Sequence, residues 1–341
     1  MQTLEAVFSA FSAFMWGTPL IVLLVGGGCY FLLHSRALPY RHFGHAIDIL
    51  RGKYDNPDAD GDIPHYQALS TALSGTLGLG NIAGVAVAIT MGGPGAIFWM
   101  WVTAVVGVAT KFYTATLAIM FRGRDSAGNV QGGPMYVIRE GLGPRWRPLA
   151  YLFAIAGLFG TLPVFQANQL VQIVRDVIAI PMGMTSADSH LAFDAMAGLA
   201  IAGLVLIVVL GHIKRIGSVT GRLVPFMVVV YLVMTLLVLV KWSESIPAAF
   251  ALIVTDAFSG EAVASGSILM VIMMGVRRGA FSNEAGIGTE SLAHGAAQTD
   301  EPVREGLVAM MGPVIDTLVV CTCTALVILM SGAWQETDLD G

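Results

Sequence analysis

The stretch S-G-T-L-G-L-G-N-I-A-G, Ser74 to Gly84, decides how the chain folds, because it sets four glycines inside an apolar run. From Tyr66 to Thr110 no side chain is charged, more than twice the ~20 residues that span a bilayer, so two helices are expected to cross here. Gly92-Gly93-Pro94-Gly95 is the natural turn between them. That leaves Gly75, Gly78, Gly80 and Gly84 in the middle of the first crossing, where each glycine costs a helix ~1 kcal/mol against alanine. A break at membrane depth is expected. Lipid cannot satisfy the freed N–H and C=O groups, so such backbone has to be buried in protein or line a polar cavity. Unwound N–H groups can hold a carboxylate, and freed carbonyls a small cation. The alternative is close helix packing through small residues, as in Gly80-x-x-x-Gly84. Thr76 and Asn81 beside the glycines favour a site.

The composition places the break in a membrane protein. Of 341 residues 55% are apolar and 12% charged, and the mean hydropathy is +0.74, which excludes a soluble chain and indicates a multi-spanning helical one. The net charge of -5 says little, since topology follows the placement of Lys and Arg. Cys29, Cys321 and Cys323 lie in apolar stretches and read as packing residues, without a disulfide or a metal site. No basic segment precedes the apolar run from Phe14 to Leu33, which reads as a retained helix rather than a cleaved leader.

Uncharged runs predict crossings near 14–33, 66–91, 95–121, 148–174, 195–211, 223–240, 246–277 and 306–330. In 246–277 two pieces, Ile246 to Thr255 and Ala262 to Val276, are each too short to span and are separated by Asp256, Gly260 and Glu261. Together they read as a second discontinuous helix, the alternative being a re-entrant or surface helix followed by a short span. With both termini outside, all of the 18 Lys and Arg except Lys111, Arg175 and Lys241 fall in inner loops, including Arg277 and Arg278, as the positive-inside rule requires. In the inner loop 34–65, Asp58-Ala59-Asp60-Gly61-Asp62 is faintly similar to a calcium loop, but the closing Glu and the glycine position are missing, and a solvated acidic turn is favoured.

Gly92 to Gly107 reads G-G-P-G-A-I-F-W-M-W-V-T-A-V-V-G, which resembles the signature of the alanine or glycine:cation symporter family. Further matches are G-T-L-G-L-G-N-I-A-G-V-A at 75–86, Q-G-G-P-M-Y at 131–136, Q-A-N at 166–168, R-G-A-F-S-N-E-A-G at 278–286 and Ile315-Asp316-Thr317. The resemblance covers nearly all of the chain from about residue 65. It implies an all-α, LeuT-like inverted-repeat fold, five helices followed by five more in inverted topology, with the first and sixth broken. The helix at 14–33 would be an extra N-terminal one, 66–91 the first core helix and 246–277 the sixth. On that numbering core helices 8–10 are absent and the second repeat is incomplete.

The resemblance also implies a site. The N–H groups of Leu79 and Gly80 would face a substrate carboxylate, carbonyls of Ser74 and Leu77 would ligate sodium, and Thr76 and Asn81 would sit beside substrate or a second ion. Gln166 and Asn168 would present amides to the substrate, or hydrogen-bond between helices. Phe258, Ser265 and Ser267 flank the second expected break and could form a lid and hydroxyl ligands, or simply pack. Glu284, in a cytoplasmic segment, is either a gate or a helix cap. Asp316, about ten residues into the last span, is a functional suspect as an intramembrane carboxylate, with a structural partner such as Lys111 equally open. Trp99 and Trp101 are interfacial anchors or packing residues.

The function so implied is sodium-coupled symport of a small neutral amino acid, alanine or glycine, by alternating access. Sodium is the coupling ion, no enzymatic cofactor is expected, and the partners are the amino acid, the ion and the bilayer, with no nucleic acid. The chain would be a multi-pass protein of the plasma membrane with its N-terminus outside. Its shortness keeps a truncated, non-transporting binding or scaffold protein as the alternative. An intramembrane hydrolase built on Ser282 or Ser291 with His294 is the enzymatic alternative, without a G-x-S-x-G elbow to support it.

Overall fold

The computed structural model describes residues 2–186, 189–259 and 268–335, and within them the chain is helical nearly throughout. The named strands among the described residues are a two-residue ladder, β1 (Gly123–Arg124) against β2 (Val130–Gln131). Five helices are long and apolar enough to cross a membrane. They are α1 (Glu5–His34, with a turn at Trp16 and Gly17), Gly95–Met120, Leu191–Val209, His212–Lys241 and Pro302–Ser331. A bent pair, His65–Thr76 and Leu79–Gly92, makes a sixth. After α1, the α-helices of six or more residues among the described residues are, in chain order, α2 (Phe43–Leu50), α3 (His65–Thr76), α4 (Leu79–Gly92), α5 (Gly95–Met120), α6 (Arg147–Gly160), α7 (Val164–Val174), α8 (Leu191–Val209), α9 (His212–Lys241), α10 (Ile246–Ala257), α11 (Ile268–Asn283), α12 (Glu290–Gly295) and α13 (Pro302–Ser331).

Helix α5 is the centre of the bundle, and small residues let its neighbours come close. A Cβ added to Gly279 of α11 would stand 2.9 Å from Thr103 of α5, and one added to Gly306 of α13 would stand 2.7 Å from the Phe112 carbonyl. Apolar side chains of α4, α5, α10 and α13, among them Val85, Ile97, Ile253 and Leu329, close one core around it. A second core joins α2, α3, α5, α9 and α13 through Ile49, Leu73, Phe112, Val224 and Val308. The start of α5 is capped across the bundle, where Gly95 N–H donates to Asp256 Oδ2 at 2.7 Å. This satisfies one of the donors that a helix leaves free at its first turn.

The glycine-rich stretch is interrupted at Leu77 and Gly78. Leu77 is extended (ψ 117°), and α3 and α4 meet at 43°. Asn81 holds the turn, its Oδ1 accepting the Gly78 N–H at 3.0 Å, which is half of a capping box.

Four features differ from the sequence reading. The stretch 148–174 is not one helix: it stops at Gly160 and resumes at Val164. Pro163 has no N–H to give and its ring collides with the carbonyl four residues back, so the helix parts there. Residues 212–222, expected in an inner loop, are the first turns of α9. They dock on α3 through Tyr66 Oη to Gly221 O (2.8 Å) and Thr71 to Thr220 (2.9 Å), contacts that sequence polarity conceals. Arg277 and Arg278 lie inside α11 rather than in a loop, between Gly275, packed on Ala96 and Trp99, and Gly279, packed on Thr103. Finally, the chain is interrupted again at 284–289, between α11 and α12. Ser265 and Ser267, with Gly260 and Glu261, lie outside the described residues. α13 is continuous, with a π-helical segment at Val314–Cys321.

Candidate functional site

Three interrupted helices meet around one cavity of about 1120 Å³. Its walls are the α3–α4 break (Ser74 to Gly80), the α6–α7 turn (Phe159 to Val164) with Gln166 and Asn168, and the α11–α12 turn (Phe281 to Thr289). At each interruption, carbonyls of a helix C-terminus and N–H groups of a helix N-terminus lack partners within their own helix. Leu79 and Gly80 open α4 and lie on the cavity wall, as do Ser74, Thr76 and Leu77 at the end of α3. The structure therefore gathers Ser74, Thr76, Leu77, Leu79, Gly80, Gln166, Asn168 and Glu284 into one place.

Glu284 lines the cavity. Its Oε1 stands 3.5 Å from where a Cβ on Gly75 would be, beside the first break, and its Oε2 accepts from Thr289 Oγ1 at 2.8 Å. Its backbone is left-handed (φ 55°), which for a residue with a Cβ is strained. Glu290 lies on the same wall, with Oε1 on Thr114 at 2.9 Å and Oε2 buried without a partner among the described residues. Sequence reading passed over Glu290 and the 161–163 turn, although the doublet of Gly160 and Pro163 carried a signal for the latter.

Two expected residues are placed elsewhere. Phe258 follows α10, is 54% exposed, and rests on Phe98 and Trp99 with ring centroids at 4.9 and 6.0 Å. It does not reach the cavity. Asn81 is buried behind the wall and its amide is fully engaged, Oδ1 with Gly78 and Nδ2 with Asp316 Oδ1 at 2.6 Å. Asp316 is completely buried and also accepts from Ser282 Oγ (2.6 Å) and Thr317 Oγ1 (2.9 Å). Lys111 is buried nearby but makes no ion pair within 4 Å among the described residues, so the donors to Asp316 are uncharged. Trp101 donates to Thr322 at 2.8 Å, a packing role. The hydrolase candidates separate as well: Ser282 serves Asp316, Ser291 donates to Gly288 O, and His294 serves Glu305. In the acidic turn Asp60 pairs with Arg124 and Asp62 with Lys214, as a solvated turn would.

Comparison with known proteins matches the model of the sodium:alanine symporter family over residues 1–341. The chain belongs to that family. Among relatives, a sodium/alanine symporter, AgcS, of Methanococcus maripaludis is 41% identical, over 97% of this chain and 72% of its own length. An uncharacterized transporter of Haemophilus influenzae is 40% identical over all of this chain and 73% of its own. A probable sodium/glutamine symporter, GlnT, of Bacillus subtilis is 34% identical over all of this chain and 68% of its own. Membership in the sodium:alanine symporter family and the apolar helices together make this a multi-pass membrane protein. Its relatives are transporters rather than enzymes.

Proposed function

We propose that the chain carries out sodium-coupled symport of a small neutral amino acid, of the alanine and glycine class, by alternating access. The observation that carries this reading is the convergence of three broken helices on one cavity, with polar side chains such as Thr76, Gln166 and Glu284 on its wall. The N–H groups of Leu79 and Gly80 receive the substrate carboxylate, as a helix N-terminus receives any anion. Carbonyls of Ser74 and Leu77 hold sodium, and its charge offsets the carboxylate where an unpaired anion would be costly. Thr76 and Gln166 orient the ligand. Asn81 acts one step back, fixing the angle of the break through Asp316. Glu284, strained and within reach of Gly75, is the moving contact between the first and second broken helices. The AgcS relative, a sodium/alanine symporter, favours alanine over the glutamine in the name of GlnT.

The matching architecture is a LeuT-like one in which α3–α4 is the first core helix and α11–α12, rather than 246–277, the sixth. A single crossing replaces a single crossing, so the N-terminus stays outside. Arg36, Arg41, Arg51, Lys53, Arg122, Arg124, Lys214 and Arg215 then lie inside.

The reconstituted protein is expected to accumulate labelled alanine in proteoliposomes only under an inward sodium gradient. Equilibrium binding without accumulation would instead indicate a binding protein. Gly80→Leu separates site from fold. Nothing lies within 4 Å of a Cβ at Gly80, which opens on the cavity. The variant is expected to melt like the parent and to bind alanine at least about tenfold more weakly, the equivalent of ~1.4 kcal/mol. Unchanged affinity in a calorimetric titration would place the substrate elsewhere.

A further inference from the structure

One buried ionisable cluster is not used by the cavity. His65, the first residue of α3, and His294 of α12 turn their Nδ1 atoms to different oxygens of Glu305, near the start of α13. The three residues are 1%, 0% and 0% exposed. Both Nε2 atoms are buried with no hydrogen-bond partner among the described residues. The cavity wall includes none of the three.

With an Nδ1–H on each neutral ring, both carboxylate oxygens are satisfied and the cluster carries one negative charge. The surroundings do not cancel it. Arg122, beyond the end of α5, gives its guanidinium to the carbonyls of Asp60, Gly295, Ala297 and Thr299, and faces Glu305, Asp60, Asp62 and Asp300. Arg124 pairs with Asp60 and Lys214 with Asp62. From α2 and its following turn, Asp48 is matched by Lys53, and His45 stands against Tyr54. On α13 itself Arg304 is matched by Glu301. Apart from the matched pairs, Arg122, Arg124 and Lys214 confront Asp60, Asp62, Asp300 and Glu305. The cations are one short, and Arg122, the one that faces Glu305, is shared with Asp60, Asp62 and Asp300.

We propose that His65, Glu305 and His294 form a binding site for one proton, which fastens the first half of the broken helix to α12 and α13. The proton is delivered by hydronium and forms one N–H bond at a free Nε2 lone pair. Water is released and no other bond changes. The imidazolium then donates to a carboxylate, a stronger hydrogen bond than the neutral ring makes. An N–H left without an acceptor costs less than an uncompensated buried charge. A second proton would make the cluster cationic with no further anion inside, so uptake stops at one. The fastening is made with the proton bound and is lost when the proton leaves.

The test uses the full chain in lipid nanodiscs with nitrogen-15 in the histidine rings, followed from about pH 5 to about pH 9, the range in which imidazoles change charge. Resonances are assigned with His65→Asn and His294→Asn, each of which keeps an amide donor near the δ position. The expected result is one proton shared between His65 and His294, and loss of that shared step in Glu305→Gln while the exposed histidines titrate unchanged. Two protons, one per ring, or none at all, would overturn the assignment. Should Glu305→Gln not fold, His294→Asn decides: the single proton is expected wholly on His65, and a His65 ring that stays neutral throughout refutes the site. None of these readouts depends on what the cavity carries.

Discussion

Asn81→Ala is expected to destabilise the folded protein by about 2 kcal/mol, the scale of one lost hydrogen bond to a carboxylate, and to abolish alanine binding. Two groups lose a partner at once. Asp316, completely buried, loses the 2.6 Å hydrogen bond from Asn81 Nδ2, and the Gly78 N–H loses its acceptor. Ser282 and Thr317 still donate to Asp316 Oδ2, so the carboxylate is weakened rather than orphaned. The angle between α3 and α4 is then unpinned, which is why binding should fall further than stability. Asp316→Asn keeps an acceptor of the same shape without the charge and should cost less. Thermal unfolding in detergent and calorimetric alanine titration on both single variants and the double variant check this. A coupling energy near zero would show that Asn81 and Asp316 act independently.

Gly275→Val is expected to prevent assembly of the bundle, with Gly26→Val as its neutral counterpart. A Cβ at Gly275 would press on the Ala96 carbonyl and Cβ of Trp99, backbone and near-backbone atoms of α5 that have no rotamer to yield. Overpacking of this kind costs about 1–3 kcal/mol when side chains can shift, and more when they cannot. At Gly26 nothing lies within 4 Å, and the residue belongs to α1 at the edge of the bundle. Size-exclusion profiles after solubilisation distinguish the two. A monodisperse Gly275→Val protein would mean that α5 and α11 can slide apart.

Periodicity and glycine content were enough to place α3–α4 and its break, because four glycines in an uncharged run leave a helix few ways to continue. They did not find the further break at 284–289. Asp256 and the short pieces around it suggested an interruption, and α10 does end at Ala257, with Asp256 capping α5. Nothing in a polar, gate-like S-N-E-A-G motif tells that it lines the cavity, a place that depends on how the glycines of α11 pack along α5. Phe258 was assigned by its position in the chain, and the rings of Phe98 and Trp99 claim it. Gln166 was legible from a local motif. The partners of Asn81 were not, since Asp316 lies 235 residues away. For the same reason no pattern linked His65 to Glu305 across 240 residues.

Glu305 and Asp316 stand on a single helix, roughly 16 Å apart at 1.5 Å per residue. One grips His65 at the foot of α3 and the other grips Asn81 at the foot of α4. Both leaves of the Leu77–Gly78 hinge are thus bolted to the same post. Neither leaf can swing alone: changing the 43° angle requires the post to flex or a bolt to be drawn. The wide-wound turns of Val314–Cys321, which carry the upper bolt, are where the post is already loosened.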